Sequence, residues 1–288
     1  MLTIITLNFN GAEKTIKLLR SLKDQTDKDF QVIVIDNASE EADFEKLDSH
    51  TRTPQVQIIK NSQNLGFSGG NNVGIKKALE NGSEWLVLLN NDTWLETAFI
   101  SQLKANLSGK EGIVGIPLVE EDKTAYYGQT EWLKPTLGHI YRPIKDKLPE
   151  SYAIGGAMAI HKTVFNKIGL LDENYFLYFE DADFSIRAKK AGLPLTSLEA
   201  PKANHQVSAT TSKLGRSLLL RYHYRNALYF NFKNGPTEVK IAIPVWSFFL
   251  LLKQSVKIAL GIESDISGAI IRGILDYHLE RMGKINSK

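Results

Sequence analysis

Val32-Ile33-Val34-Ile35-Asp36-Asn37 is a run of four β-branched residues cut off by a carboxylate and an amide. An apolar run of that length, with no polar alternation, reads as a strand buried on both faces. Three more such runs stand in the first ninety residues: Leu2–Leu7, Val56–Ile59 and Trp85–Leu89. Between the first pair of runs, Ile16, Leu19 and Leu22 recur on one helical face. Before the last run Val73, Ala78 and Leu79 form a second helical pattern, and Asn81-Gly82 supplies its stop. Helices alternating with continuous apolar strands predict an α/β fold, a mostly parallel sheet sandwiched by helices.

Polar residues follow every one of these strands: Asn8 and Asn10, Asp36-Asn37, Asn61 and Asn64, and Asn90-Asn91-Asp92. Singly, each is an ordinary turn former or helix cap. Together they occupy the carboxyl ends of neighbouring strands, where open α/β sheets bind ligands, and they read as the lining of a cleft. Gly66-Phe67-Ser68-Gly69-Gly70-Asn71-Asn72-Val73-Gly74 opens a helix directly after a strand. Its glycines either let backbone approach a phosphate or sugar or serve tight packing. Their spacing fits neither the dinucleotide fingerprint nor a P-loop, which excludes a nicotinamide dehydrogenase.

The 288 residues, 43% hydrophobic and 23% charged, suffice for one large domain or one domain with an appendage. The absence of cysteine excludes disulfide scaffolds, thiol chemistry and cysteine-ligated metals, and fits a reducing compartment. A net charge of +3 is too small to argue for nucleic acid, but it is unevenly spread. From Lys202 onward there are 13 Lys and Arg against 5 Asp and Glu; the preceding residues carry 22 against 27. That basic tail predicts either an anionic partner surface or a solvated helical extension. Met1 leads straight into an apolar run without the pattern of an export signal. The apolar run Ile241–Leu252 falls short of the ~20 residues a membrane span needs.

The second half reads less cleanly. Residues 109–150, with Pro117, Pro135, Pro143 and Pro149, are expected to form loops and short strands. Ala153–Ile160 is strand-like around Gly155-Gly156, and a short helix is expected near Thr163–Ile168. The aromatic run Tyr175–Phe179 then leads into Glu180-Asp181-Ala182-Asp183, which opens a helix stopped at Gly192. Carboxylates there are either caps or a general base partly desolvated by Tyr178 and Phe179. Asp183 is expected to pair with Arg187 at i+4. Asp92, at a strand end, is placed to hold Mg²⁺ or Mn²⁺, and His205 after the Leu195–Leu198 strand is either structural or near that ion.

Ile4–Asn10, Val32–Ser39, Asn64–Asn71, Leu88–Thr93 and Phe179–Asp183, taken in order, resemble the family 2 glycosyltransferases, particularly bacterial rhamnosyltransferase-like members. The resemblance runs from Met1 to about His205. It implies a GT-A fold and an inverting transfer from a nucleotide-diphosphate sugar, dTDP-rhamnose or a UDP-sugar, to a polysaccharide or lipid-linked acceptor. It implies that Thr6, Asn8, Asp36, Asn64, a turn at Gly69 and Gly70, Asn71, Asn90 and Asn91 serve the donor. It further implies that Asp92 and His205 serve a Mg or Mn cation, that Asp181 is the catalytic base and that Glu180 supports it. Asn90 departs from the pattern, standing where relatives carry the first acid of an acid-x-acid metal motif. The alternatives are a non-catalytic sugar-nucleotide-binding relative, which would lack the base, and a sugar-nucleotidyltransferase. The latter should carry a Gly-rich, Arg-containing loop where this chain has Asn8-Phe9-Asn10-Gly11. The expected organisation is a catalytic domain over 1–212 and a helical extension over 213–288. That extension would contact a membrane through 214–260, on the cytoplasmic face of a bacterial plasma membrane, or form a homodimer.

Overall fold

A computed structural model describes residues 1–51, 53–143, 150–205 and 215–286. The expected domain boundary at 212–213, the helix start at Leu214 and Pro149 lie outside the described residues. The strands expected in the first ninety residues are present as β1 (Leu2–Asn8), β2 (Gln31–Asp36), β3 (Val56–Lys60) and β4 (Trp85–Leu89). They join β6 (Ile113–Gly115), β12 (Ala157–His161) and β13 (Leu195–Ser197) in a seven-stranded sheet of order β13-β6-β12-β4-β1-β2-β3. β12 alone runs against its neighbours β4 and β6.

Two apolar layers account for the continuous strands. Ile4, Val32, Val34 and Val87 face α1 (Ala12–Lys23), α2 (Glu41–Thr51) and α4 (Phe99–Leu107). Ile5, Ile33, Ile35 and Leu88 face α3 (Gly66–Glu80), α5 (Lys162–Ile168) and α6 (Glu180–Lys190). Burial on both faces removes the need for polar alternation. α2 escaped the sequence pattern because only Leu47 and Thr51 of its residues are buried.

The irregular middle folds into two small sheets. One joins β9 (Tyr127–Gln129), β10 (Gly138–Ile140) and β11 (Ser151–Tyr152). The other joins β5 (Thr93–Trp94), β7 (Leu118–Glu120), β8 (Lys123–Ala125) and β14 (Ala203–His205). Two local expectations are corrected here. The strand around Gly155-Gly156 begins only at Ala157, because the two glycines form a loop facing Asn90 and Asp181. Gly69 and Gly70 are not a turn but lie inside α3. His205 follows β13 as expected and lies in a short strand of its own, β14, beside β5.

α7 (Arg216–Asn234), α8 (Thr237–Ala259) and α9 (Ser264–His278) complete the described chain. The Ile241–Leu252 run lies within the 23 residues of α8, which is long and apolar enough to cross a membrane. The apolar run itself is short of a span, as expected; the helix passes on length and composition because it extends past the run at both ends. One face of α8 is nevertheless committed to protein: Ile243, Trp246, Leu250 and Leu251 pack with Leu228, Ile270 and Ile274 of the flanking helices.

Candidate functional site

The polar strand ends do meet at one edge. Asn8, buried at the end of β1, donates through Nδ2 to Asp36 Oδ1 (2.9 Å), Ser39 Oγ (3.1 Å) and Asp43 Oδ2 (3.0 Å). Its Oδ1 accepts from Thr15 Oγ1 (2.8 Å), which in turn accepts from Asn91 Nδ2 (3.0 Å). Asp36 Oδ2 accepts from the Ser39 amide (3.1 Å). Thr6 and Asn8 are thus inside the wall, and Asp36 is held from both its oxygens; the Thr6 hydroxyl has no hydrogen-bond partner among the described residues. Asp43 and Thr15 were missed because their role depends on α1 and α2 packing beside β1.

Asn37 ties the next loop. It donates to Asn64 Oδ1 (3.0 Å) and Gly66 O (3.1 Å), and its Oδ1 accepts from Asn61 Nδ2 (3.1 Å) and the Leu65 amide (3.0 Å). The amides that open α3 are therefore committed within the protein: Gly66 N–H to Asn64 Oδ1 and Phe67 N–H to Phe176 O. The glycines serve packing. A Cβ on Gly74 would lie 2.5 Å from Ile5 Cγ2, and one on Gly70 2.4 Å from Leu7 Cδ1. Gly66 also needs its left-handed φ of +73°, and a side chain there would strike Phe176 O. Asn71 is buried in α3 and donates to Phe67 O (2.9 Å).

Beyond β4 this edge becomes ionic. Pairing of His205 with Thr93 across β14 and β5 brings the imidazole to Asp92. His205 Nε2 and Asp92 Oδ1 face each other at 3.3 Å, yet neither atom is aligned in a hydrogen bond. Glu120 Oε1 lies 3.2 Å from His205 Nδ1, Glu120 Oε2 lies 3.5 Å from His139, and Lys14 stands 3.7 Å from Asp92. Burial opposes the charged form of His205, but Asp92 and Glu120 more than offset it and lift its pKa to about 9. Hydrogen bonds from His139 and His205 hold Glu120 down at about 2. Glu120 and His139 carry no sequence motif; two short strands bring them in. Among the described residues no group of three or more His, Asp and Glu side chains converges as a metal centre.

The Gly155-Gly156 loop joins this ionic end to the carboxylates of α6. The Gly156 carbonyl accepts from the Asn90 amide (2.9 Å), and the Gly155 amide donates to Asp181 Oδ2 (2.9 Å). Asp181 Oδ1 accepts from the Ala182 amide (2.8 Å). Glu180 is buried with Oε2 unpartnered. Burial raises the pKa of Glu180 well above the usual carboxylate range, and the charge of Asp181 adds to it. Burial also raises Asp181, the Gly155 and Ala182 amides working against the rise. Asp183, by contrast, points away and is saturated by Arg187 (2.7 Å), Lys233 (3.0 Å) and Asn234 (2.7 Å).

A profile described as glycosyl transferase family 2 matches residues 3–169, more than half of the chain. The chain belongs to that family. It is 23% identical over 270 residues to a dTDP-rhamnosyl transferase, RfbF, of Shigella flexneri, covering 92% of this chain and 85% of the relative. It is 21% identical to an N-acetylglucosaminyl-diphospho-decaprenol L-rhamnosyltransferase of Mycobacterium tuberculosis, over 77% of this chain and 81% of the relative. A mannosyltransferase of Pyrobaculum calidifontis, solved with GDP-Man and Mn²⁺, superposes with a TM-score of 0.57 at 13% identity. That superposition covers 97% of this chain and 87% of the other. This glycosyltransferase therefore has the GT-A fold.

Proposed function

We propose that this family 2 member transfers a sugar with inversion from a nucleotide-diphosphate donor, dTDP-rhamnose first and a UDP-sugar second, to a hydroxyl of a lipid-linked or surface glycan. One observation carries the reading: a continuous set of contacts runs from Asn8 and Asp36 through Asn91 to Asp92 and His205, and through Gly156-Gly155 to Asp181. This supports donor-side polarity and a desolvated carboxylate acting on one substrate pair. Asp36, with Asn64, Asn71, Asn90 and Asn91, serves the nucleoside and diphosphate. Asp181 accepts the acceptor hydroxyl's proton while that oxygen bonds to the anomeric carbon and the bond to the diphosphate breaks. Glu180 orients the acceptor.

Asp92 Oδ1 and His205 Nε2, buried and 3.3 Å apart, would fit a divalent cation that displaces the imidazolium proton between them, and Glu120 stands behind the imidazole as an orienting carboxylate. A cation held by these two groups would offset the charge of the leaving diphosphate. The test is a thermal-shift series with dTDP, UDP and GDP, each with and without Mn²⁺. A nucleotide at a hundredfold excess over its Kd stabilises the fold by about 2.7 kcal/mol, which should read as several degrees. Failure of all three to raise Tm would remove the donor-site reading. Binding without nucleoside diphosphate release, with dTDP-rhamnose and a membrane lipid extract as acceptor, would favour a non-catalytic relative.

The acceptor side of the reading includes a membrane surface. Ile241, Val245, Phe248, Phe249, Leu252 and Val256 lie on one side of α8, each about half to three-quarters exposed, opposite the face packed on α7 and α9. Lys240, Lys253 and Lys257 accompany this stripe, and the surrounding tail is basic. A helix committed to protein along one face and apolar along the other suits the headgroup region of an anionic bilayer. The chain should float with phosphatidylglycerol vesicles, and Phe248→Ser with Phe249→Ser should lose most of that recovery. Concentration-dependent dimerisation abolished by the same substitutions, without flotation, would assign the stripe to a second copy.

A further inference from the structure

The five residues before Glu180 and the candidate base Asp181, Tyr175 to Phe179, follow an unusual path. Phe176, Tyr178 and Phe179 all take left-handed backbone angles (φ +57°, +70° and +74°), a region that side-chain-bearing residues rarely occupy. Phe179 is the residue immediately before α6, so its conformation sets the direction in which Glu180 and Asp181 leave the segment. Nothing in the local sequence favours this path: there is no glycine, asparagine or aspartate within it. Its support comes from elsewhere in the chain.

That support is one face of α7. Asn226, fully buried, donates through Nδ2 to the carbonyls of Tyr175 (2.9 Å), Leu177 (2.8 Å) and Tyr178 (3.0 Å). Its Oδ1 accepts from Arg225 Nε (3.0 Å), and Arg225, itself fully buried, donates to the Arg281 carbonyl (3.1 Å). The aromatic rings of the segment are seated by the same helix: Phe176 stacks on Tyr222 (5.5 Å), Tyr178 on His223 (4.1 Å), and Phe179 packs with Phe230 (5.4 Å). At the other end, Lys233 and Asn234 hold Asp183. On the cleft side, Phe176 O receives the Phe67 amide, so the same segment touches the loop that opens α3.

We infer that Asn226 is a positioning residue for the transfer site: its amide pins the left-handed segment and so sets where Asp181 and Glu180 point, making α7 a structural part of the cleft. The inference rests on the assignment of Asp181 as the base. A buried amide spanning three carbonyls has no cheap replacement, since each carbonyl released inside the protein needs another donor. Misplacement of a reacting group by about 1 Å costs on the order of 10²-fold in rate.

The test compares Asn226→Asp, of the same shape but without donors, with Asn226→Ala and with Ile274→Val, a core change under α7 that does not touch the segment. Nucleoside diphosphate release from dTDP-rhamnose, in the presence of a membrane lipid extract, is followed below each variant's Tm, together with dTDP affinity. The expected result is a kcat lowered about 10- to 100-fold in both Asn226 variants. Donor KM and dTDP affinity should stay within about threefold, and the acid limb of the pH profile should move as the carboxylates change surroundings. Ile274→Val should lower Tm alone. An unchanged kcat in folded Asn226 variants, or an equal loss in Ile274→Val, would overturn the inference. So would failure of both Asn226 variants to fold, which would make Asn226 a folding residue. Asp181→Asn in the same assay separates the two readings: if it retains transfer, the base assignment falls; if it collapses while Asn226→Asp does not, only this inference falls.

Discussion

Asp181→Asn is expected to lower transfer by about 10²- to 10⁴-fold, the range a positioned general base supplies, while the fold and nucleotide affinity persist. The substitution is nearly isosteric, and an amide oxygen can still accept from the Gly155 or Ala182 amide that now holds the carboxylate. What disappears is the capacity to take the hydroxyl proton. The pH dependence of the parent protein has a defined sign. Burial raises Asp181 and, further, Glu180 above the ordinary carboxylate range. A base works only when ionised, so transfer should fall as pH descends through these raised values, well before exposed carboxylates titrate near ~4. In Asp181→Asn the remaining slow reaction should lose the limb that belongs to Asp181. Near-parental transfer by the folded variant would move the base elsewhere, Glu180 being the nearest buried carboxylate.

The second large effect is expected at Asp92. Asp92→Asn should abolish the difference that Mn²⁺ makes to nucleotide-induced stabilisation and reduce transfer by at least about 10²-fold, since an amide oxygen is a weak ligand for a hard cation. Asn90 already supplies one such amide next to it, so the chain has no second carboxylate in that loop to compensate. Glu120→Gln acts one step back. It keeps the shape but weakens the orientation of His205, and metal affinity should fall about 10- to 100-fold. The comparison is informative because Glu120 contacts His205 and His139 and lies outside the strand-end series. Equal stabilisation of the parent protein by dTDP with and without Mn²⁺ would remove the cation from the mechanism. Neutralisation of the diphosphate would then fall to cations already in the cleft, Lys14 and His205.

The strands and the polar edge they share were legible in the sequence because each clue was local. Val32–Ile35 and its sister runs announce strands that need no polar face, and their parallel packing obliges the residues just after them to share one edge. Asn8, Asp36, Asn64 and Asn90 to Asp92 could be placed together on that ground alone, and the motif order carried the family. The Asp183–Arg187 pair was also visible, as an i, i+4 spacing on one helix.

What only the tertiary structure decided depends on segments far apart in the chain. His205 meets Asp92 because β14 pairs with β5 in a particular register, and no periodicity in three-residue strands specifies that. The glycines after β3 looked equally suited to phosphate or to packing; the close approach of α3 to Ile5 and Leu7 assigns Gly70 and Gly74 to packing. Asn8 looked like a cleft residue, yet α1 and α2 surround it and turn its amide into a brace for Asp36. The left-handed run before Asp181 contradicts its own local preference, and it stands because α7 supplies donors and aromatic neighbours. Local pattern determines which elements form and which edge they offer to a ligand. The aim of each side chain at that edge is set by long-range packing, whose contacts outweigh the conformational preferences of the residues they hold.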